Sequence, residues 1–295
     1  MGYAASLLYF DDEAPFALRL AELAGLTPHA IEKHRFPDGE LKLRLPPALP
    51  RRVVLLRSLH NPNEKLIELL LAARTARELG AQHLTLVAPY LAYMRQDMAF
   101  QPGEVVSQHI VGQFIASLCD AVITVDPHLH RIARLEQAVP VRQAVVLSGA
   151  LLLSDWIAQH HTQPFLMGPD RESAQWVAQA AKRHDFDHAV CQKVRHGDQA
   201  VDIALPDVDV RGRAVVLLDD VASSGRTVAK AAELLLAAGA ASVDVAVTHA
   251  LFAADAFEVL KAAGVSQVWS TDCIAHHTNA VSVAPAIAEA LRNLA

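Results

Sequence analysis

Short aliphatic runs alternate with longer amphipathic stretches along most of the chain. Seven runs read as strands: "RVVLLRS" (52–58), "HLTLVAPY" (83–90), "AVITVD" (121–126), "FLMGPD" (165–170), "AVVLLDD" (214–220), "VDVAVTHA" (243–250) and "QVWSTD" (267–272). Helical periodicity fills "EKLIELLLAARTARELG" (64–80) and "VAKAAELLLAAG" (228–239). Most of these strands begin as unbroken apolar runs, which predicts burial on both faces. Their alternation with helices predicts an α/β protein with mainly parallel sheets flanked by helices.

Two stretches repeat one another. From Val53 and from Val215 the chain reads VVLL, polar loop, helix, Gly-Ala, strand. The pairs Gly80-Ala81 and Gly239-Ala240 fall where a helix would end on a C-cap glycine. Two copies of one α/β unit account for this, although any two strand–helix–strand segments share some likeness. The copies differ where the strand ends: Arg57 and Ser58 stand where Asp219 and Asp220 do. If both are copies, only the second retains an acidic site.

Composition narrows the function. The 295 residues are 52% hydrophobic and 20% charged, enough for two soluble domains, and the formal net charge of -6 argues against a nucleic-acid surface. Three widely spaced cysteines, Cys119, Cys191 and Cys273, form neither a metal pattern nor a disulfide framework. The N-terminal "MGYAASLLYFDDEAP" lacks the basic region of a signal peptide, and no apolar run has the length of a membrane span. The expectation is a cytoplasmic protein without membrane or nucleic-acid partners.

"VVLLDDVASSGRTVAKAAELLLAAGA" (215–240) carries the candidate chemistry. A parallel strand leading to a helix N-terminus makes an anion site. Ser223, Ser224, Gly225 and Thr227 offer hydroxyls and backbone N–H groups suited to a phosphate monoester, and no Walker loop is present. Paired carboxylates beside such a loop suit the hydroxyls of a sugar, which points to a pentose phosphate. A helix-capping cluster with solvated acids is the alternative.

This loop resembles the phosphoribosyl-pyrophosphate loop of type I phosphoribosyltransferases and ribose-phosphate pyrophosphokinases. "RFPDGE" (35–40), "PYLAYMRQD" (89–97), "VDPHLH" (125–130), "GPD" (168–170) and "QKVRHGD" (192–198) resemble motifs of the second family, in order and over nearly the whole length. "YMRQDMAFQPGEVVS" is similar to its archaeal-type members. The resemblance implies two tandem phosphoribosyltransferase-like (type I) domains, 1–142 with the ATP motifs and 143–295 with the ribose 5-phosphate loop, the last helix being free to pack back on the first domain. It implies Mg2+-dependent transfer of the diphosphoryl group of ATP to O1 of ribose 5-phosphate, giving phosphoribosyl pyrophosphate and AMP, by a homo-oligomer (dimer or hexamer).

The same resemblance implies the roles. Asp219 and Asp220 hold ribose hydroxyls, and Ser223, Ser224, Gly225, Arg226 and Thr227 hold the 5-phosphate. Phe36 stacks on adenine, and Asp38, Gly39 and Glu40 complete that turn. Arg95 and Gln96 contact ATP. His128 and Asp170 match magnesium positions. Lys193 and Arg195, on a flap, neutralise transition-state charge, Arg195 also touching the sugar phosphate. Read without the family, "FPDG" is a good turn, 95–96 a loop after a strand and 192–213 a solvated charged hairpin. Two departures stand out. Ser223 and Arg226 replace the family's usual acidic residue and second glycine, and Arg171-Glu172-Ser173 replaces a small or glycine-bearing stretch after Asp170. They keep open a related transferase acting on another sugar phosphate, or a non-catalytic regulatory homologue.

Overall fold

The computed structural model describes residues 5–196, 200–253 and 255–294, with 193–196 and 200–202 described by backbone alone. The chain packs as two compact units, 1–147 with 283–295, and 148–282. In the first, strands β1 (Ala5–Phe10), β2 (Thr27–Arg35), β3 (Leu41–Arg44), β4 (Arg52–Leu56), β5 (His83–Ala88), β6 (Ala121–Val125) and β7 (Gln143–Leu147) accompany helices α1 (Ala14–Ala24), α2 (Pro62–Glu78) and α3 (Ser107–Ala116). The sheet order is β3-β2-β1-β4-β5-β6-β7, parallel except for the β2–β3 hairpin.

The second unit contains α4 (Gly149–His160), β8 (Phe165–Gly168), α5 (Ala174–His184), β9 (His188–Val190), the antiparallel pair β10 (Gln192–His196) and β11 (Ala200–Ala204), β12 (Ala214–Ala222), α6 (Arg226–Ala237), β13 (Ser242–Ala250), α7 (Ala256–Ala262), β14 (Val268–Thr271) and β15 (Asn279–Val281). Its main sheet is parallel, in the order β15-β14-β13-β12-β8-β9. Both faces of β12 are buried. Val215 and Leu217 pack with α6 and α7, while Val216 and Leu218 pack with α4 and α5. That double coverage is why this strand is apolar without alternation.

The duplication read from the sequence is present in the topology. The order β2-β1-β4-β5-β6-β7 matches β9-β8-β12-β13-β14-β15, with β4 and β12 in the same place. Helices α2 and α6 end alike. Gly80 (φ +115°) and Gly239 (φ +95°) adopt the positive φ that glycine permits. Ala81 N–H donates to Ala76 O at 3.0 Å and Ala240 N–H to Leu235 O at 3.1 Å, the six-to-one bond of a Schellman cap. The next residues, Gln82 and Ala241, each donate at 2.8 Å to Arg51 O and Arg213 O, at the start of the preceding strand.

Residues 143–147, expected in the second domain, form the edge strand of the first sheet because β7 pairs with β6. The last helix, α8 (Ala284–Asn293), packs against α1, and Arg292 Nη1 donates to Leu23 O at 2.9 Å. Among the described residues no helix is long and apolar enough to cross a membrane.

Candidate functional site

In the second unit the chain winds from β8 to β9 on one side and from β12 through β15 on the other. The order reverses between β8 and β12, and ligands of open α/β sheets bind at the carboxyl ends of strands flanking such a reversal. Asp170 follows β8, and Asp219 and Asp220 lie at the end of β12. Pairing of β12 with β13 continues through Ala222, so both aspartates sit on the strand rather than in the loop. Asp219 Oδ1 accepts the Asp220 N–H at 3.0 Å. Burial first, then the charges of Asp220 and Asp170, raise the Asp219 carboxyl well above its usual range.

Asp170 is 7% exposed and caps the short 3₁₀ turn Arg171–Ser173, its Oδ1 accepting the Glu172 N–H at 2.9 Å. Ser173 Oγ donates to Asp170 O at 2.6 Å. A Cβ on Gly168 would lie 2.3 Å from that hydroxyl oxygen, so glycine is what lets the turn fold under. The RES stretch is therefore a tucked turn with Arg171 and Glu172 exposed and Ser173 buried.

The loop after β12 reaches α6 through Gly225, the helix N-cap, at φ +68°. The capping role is thus taken by a glycine, and the capping explanation for the aspartates falls away. Gly225 has no side chain to cap the helix, which suits the first-turn amides to an anion. A Cβ on Gly225 would meet Ala256 O at 3.2 Å. Ser223 O accepts the Ala253 N–H at 2.8 Å, holding the loop in place. Ser224 and Arg226 are exposed, while Ser223 and Thr227 are half-buried. Arg226 opens the helix and is absent from the positive-φ residues, so glycine is not required there. Its Nη2 lies 3.3 Å from Asp255 Oδ2, both side chains being exposed.

The other candidates belong to other segments. Phe36, Asp38, Gly39 and Glu40 form the tip between β2 and β3, closed by Phe36 N–H to Glu40 O and Gly39 N–H to Phe36 O, both 2.9 Å. Gly39 has φ +96°, and Asp38 Oδ1 accepts the Glu40 N–H at 3.1 Å. Arg95 and Gln96 follow β5 on a separate stretch, with Gln96 Nε2 donating to Met98 O at 2.9 Å. His128 follows β6 at φ +44°, its Nε2 2.9 Å from that of His130. Lys193 and Arg195 lie on β10, opposite Ile203 and Val201 of β11. Their side chains, and Gly197 of the expected flap, lie outside the described residues. The buried thiols of Cys119 and Cys191 are pushed up to about 12 and about 11, chiefly by burial, which makes them poor nucleophiles at neutral pH.

At the corresponding reversal in the first unit, between β1 and β4, Arg57 is 1% exposed and stacks 4.5 Å from the Phe10 ring centroid. It donates to Asp12 Oδ1 at 2.7 Å and Glu13 Oε2 at 2.9 Å, and it pairs with the fully buried Glu68. Lys65 Nζ donates to Ser58 O at 2.7 Å, and burial, then the Arg57 charge, lower its pKa to about 8. This place is filled by the protein's own ions. In the sequence Arg57 stands out only as a difference between the two copies. The available signal was its need for carboxylate partners once buried at a strand end.

A family model for the N-terminal domain of ribose phosphate pyrophosphokinase matches residues 5–118, and one for a phosphoribosyl transferase domain matches 147–274. The ribose-phosphate pyrophosphokinase of Methanopyrus kandleri is 36% identical over 280 residues, covering 94% of each chain. That of Methanosarcina acetivorans is 35% identical over 280 residues, covering 94% of this chain and 96% of the relative. This chain belongs to the ribose-phosphate pyrophosphokinase family. The crystal structure of phosphoribosylpyrophosphate synthetase from Mycobacterium smegmatis, 22% identical, superimposes with a TM-score of 0.85 over 99% of this chain and 98% of that one, and shares the fold. Within the ribose-phosphate pyrophosphokinase family, then, this chain combines an acidic strand end in its second copy with an ion-filled strand end in its first.

Proposed function

We propose that this enzyme transfers the diphosphoryl group of ATP to O1 of ribose 5-phosphate, giving phosphoribosyl pyrophosphate and AMP. One observation carries the reading. Asp170, Asp219 and Asp220 gather at the β8–β12 reversal, beside the uncapped start of α6. A sugar diol suits the aspartate pair, and its 5-phosphate suits the amides and hydroxyls of Ser223, Ser224, Gly225 and Thr227. Arg226, able to leave its exposed pair with Asp255, adds a cation for the same phosphate.

The carboxylate oxygens of Asp170, Asp219 and Asp220, with Asp219 destabilised by burial and then by its acidic neighbours, suit Mg2+. Asp170 is a proposed magnesium position, and His128, acting through a water, is a second proposed position. When bound, the ion neutralises charge on the phosphoryl oxygens. Phe36, Asp38, Gly39 and Glu40, with Arg95 and Gln96, are the proposed nucleotide contacts. The O1 hydroxyl attacks the β-phosphorus in line. The O1–Pβ bond forms, the bond to the AMP oxygen breaks, and the O1 proton is released. Lys193 and Arg195 meet the charge that develops, so catalysis rests on positioning and neutralisation. The proposed assembly is a homo-oligomer. The regulatory and other-sugar readings have no support in the names of the relatives.

The test is AMP formation from ATP and Mg2+ with a panel of pentose phosphates. Turnover with ribose 5-phosphate is expected. Turnover with another pentose phosphate alone replaces the substrate, and ATP binding without turnover selects a regulatory role.

A further inference from the structure

The hairpin that carries Phe36, Asp38 and Glu40 leaves its sheet. β2 pairs with β1 from Thr27 to Ile31, whereas Glu32–Arg35 pairs with β3 alone. The outer residues of β2 are exposed, and β3 contributes Leu43 as a partly buried contact with the core. A two-stranded ribbon is marginal by itself, so its direction needs an outside support.

That support is ionic. Lys33 Nζ donates to Glu68 Oε1 at 2.7 Å and lies 3.8 Å from Glu64 Oε1. Arg35 pairs with Glu64, and its Nη1 is 3.5 Å from Gly39 O in the tip. Glu68 also holds Arg57, which Asp12 and Glu13 anchor in turn. Alternating charges thus run from the end of β4, across α2, to the hairpin tip. A groove of about 420 Å³ lies along this line, bordered by Arg35, Gly39, Glu40, Glu64 and Ile67.

We propose that Lys33 and Glu64 are positioning residues for nucleotide binding: they set the angle of the β2–β3 hairpin against α2 and so place its tip. This rests on the tip being a nucleotide contact, as proposed above. Because Glu68 is fully buried, the Lys33 pair is less screened than a surface pair and holds a preferred geometry.

The test measures direct binding of a non-hydrolysable ATP analogue and of ribose 5-phosphate, with steady-state kinetics alongside. Lys33→Met is expected to weaken analogue binding and raise KM for ATP by about fivefold, the scale of one such pair. Affinity for ribose 5-phosphate and kcat at saturating ATP are expected to stay unchanged. Glu64→Gln, on a half-exposed residue, gives the same split if the first variant folds poorly, and Lys33→Arg restores wild-type values. Phe36→Ala separates the two readings. If Phe36→Ala weakens the analogue while Lys33→Met and Glu64→Gln do not, the positioning role is overturned and the tip remains a nucleotide contact. If Phe36→Ala has no effect, both are overturned. Equal weakening of both ligands by Lys33→Met would mark a general structural role and overturn the proposal.

Discussion

Asp219 accepts the backbone N–H of Asp220 through Oδ1 at 3.0 Å, inside β12 rather than in the loop that follows it. One carboxylate is therefore partly occupied by the strand itself, and both remain at the carboxyl end of the sheet. Holding the Asp219 charge there is costly, first because of burial and then because of Asp220 and Asp170.

The Asp219 carboxyl is raised in the folded state, so the fold favours its neutral form. Below the unfolded pKa of about 3.9 both states are protonated and no penalty exists. As pH rises through that value toward the folded one, the unfolded state loses the proton first and stability falls. Asp219→Asn in ligand-free, metal-free protein is expected to raise Tm at neutral pH by about 2–4 °C and to remove part of this pH dependence. The same variant is expected to lose ribose 5-phosphate binding, measurable by calorimetry. A lower Tm at neutral pH would contradict the acidic strain.

Gly225 combines φ +68° with close quarters: a Cβ there would stand 3.2 Å from Ala256 O. Gly225→Ala is expected to cost about 1–2 kcal/mol and to raise KM for ribose 5-phosphate, because the amides at the start of α6 shift. Denaturant unfolding and substrate titration check the two effects separately.

Arg226 and Asp255 form an exposed pair at 3.3 Å. Such pairs contribute about 0–1 kcal/mol, so Arg226→Gly is expected to leave stability nearly unchanged. If the guanidinium turns to the 5-phosphate, KM for ribose 5-phosphate rises by about tenfold, and the rise shrinks at high salt. Salt-independent, unaltered KM would leave Arg226 as a surface residue.

Arg57, itself 1% exposed, is held by Asp12, Glu13 and the fully buried Glu68. Arg57→Met leaves Glu68 buried with one cation fewer and is expected to cost about 3–5 kcal/mol. Arg57→Met with Glu68→Leu is expected to recover part of that loss, since the fully buried Glu68 charge is gone while the largely buried Glu13 still lacks Arg57. Equal losses in the single and double variants would show that the arginine's stem, rather than its charge, matters.

The alternation of apolar runs and helical stretches made the α/β class legible, and all seven runs read as strands carry one. What escaped is informative. β2, "TPHAIEKHR", is polar because its outer half pairs with β3 alone and is exposed, and β7 is an edge strand with little burial to shape its pattern. The run read as a strand stopped at Asp220, because the polar residues that follow leave no apolar pattern to extend it. Pairing with β13 carries it on to Ala222.

By itself the sequence determined the elements, their duplication and the chemical types along the loop before α6, because these follow from neighbours within a few residues. Tertiary structure alone decided that Asp170 joins Asp219, that Arg57 finds Glu68, and that Lys33 of β2 meets Glu68 of α2. Each of those meetings depends on which strands and helices lie side by side. That choice is made by burying whole faces together, and no local pattern records it.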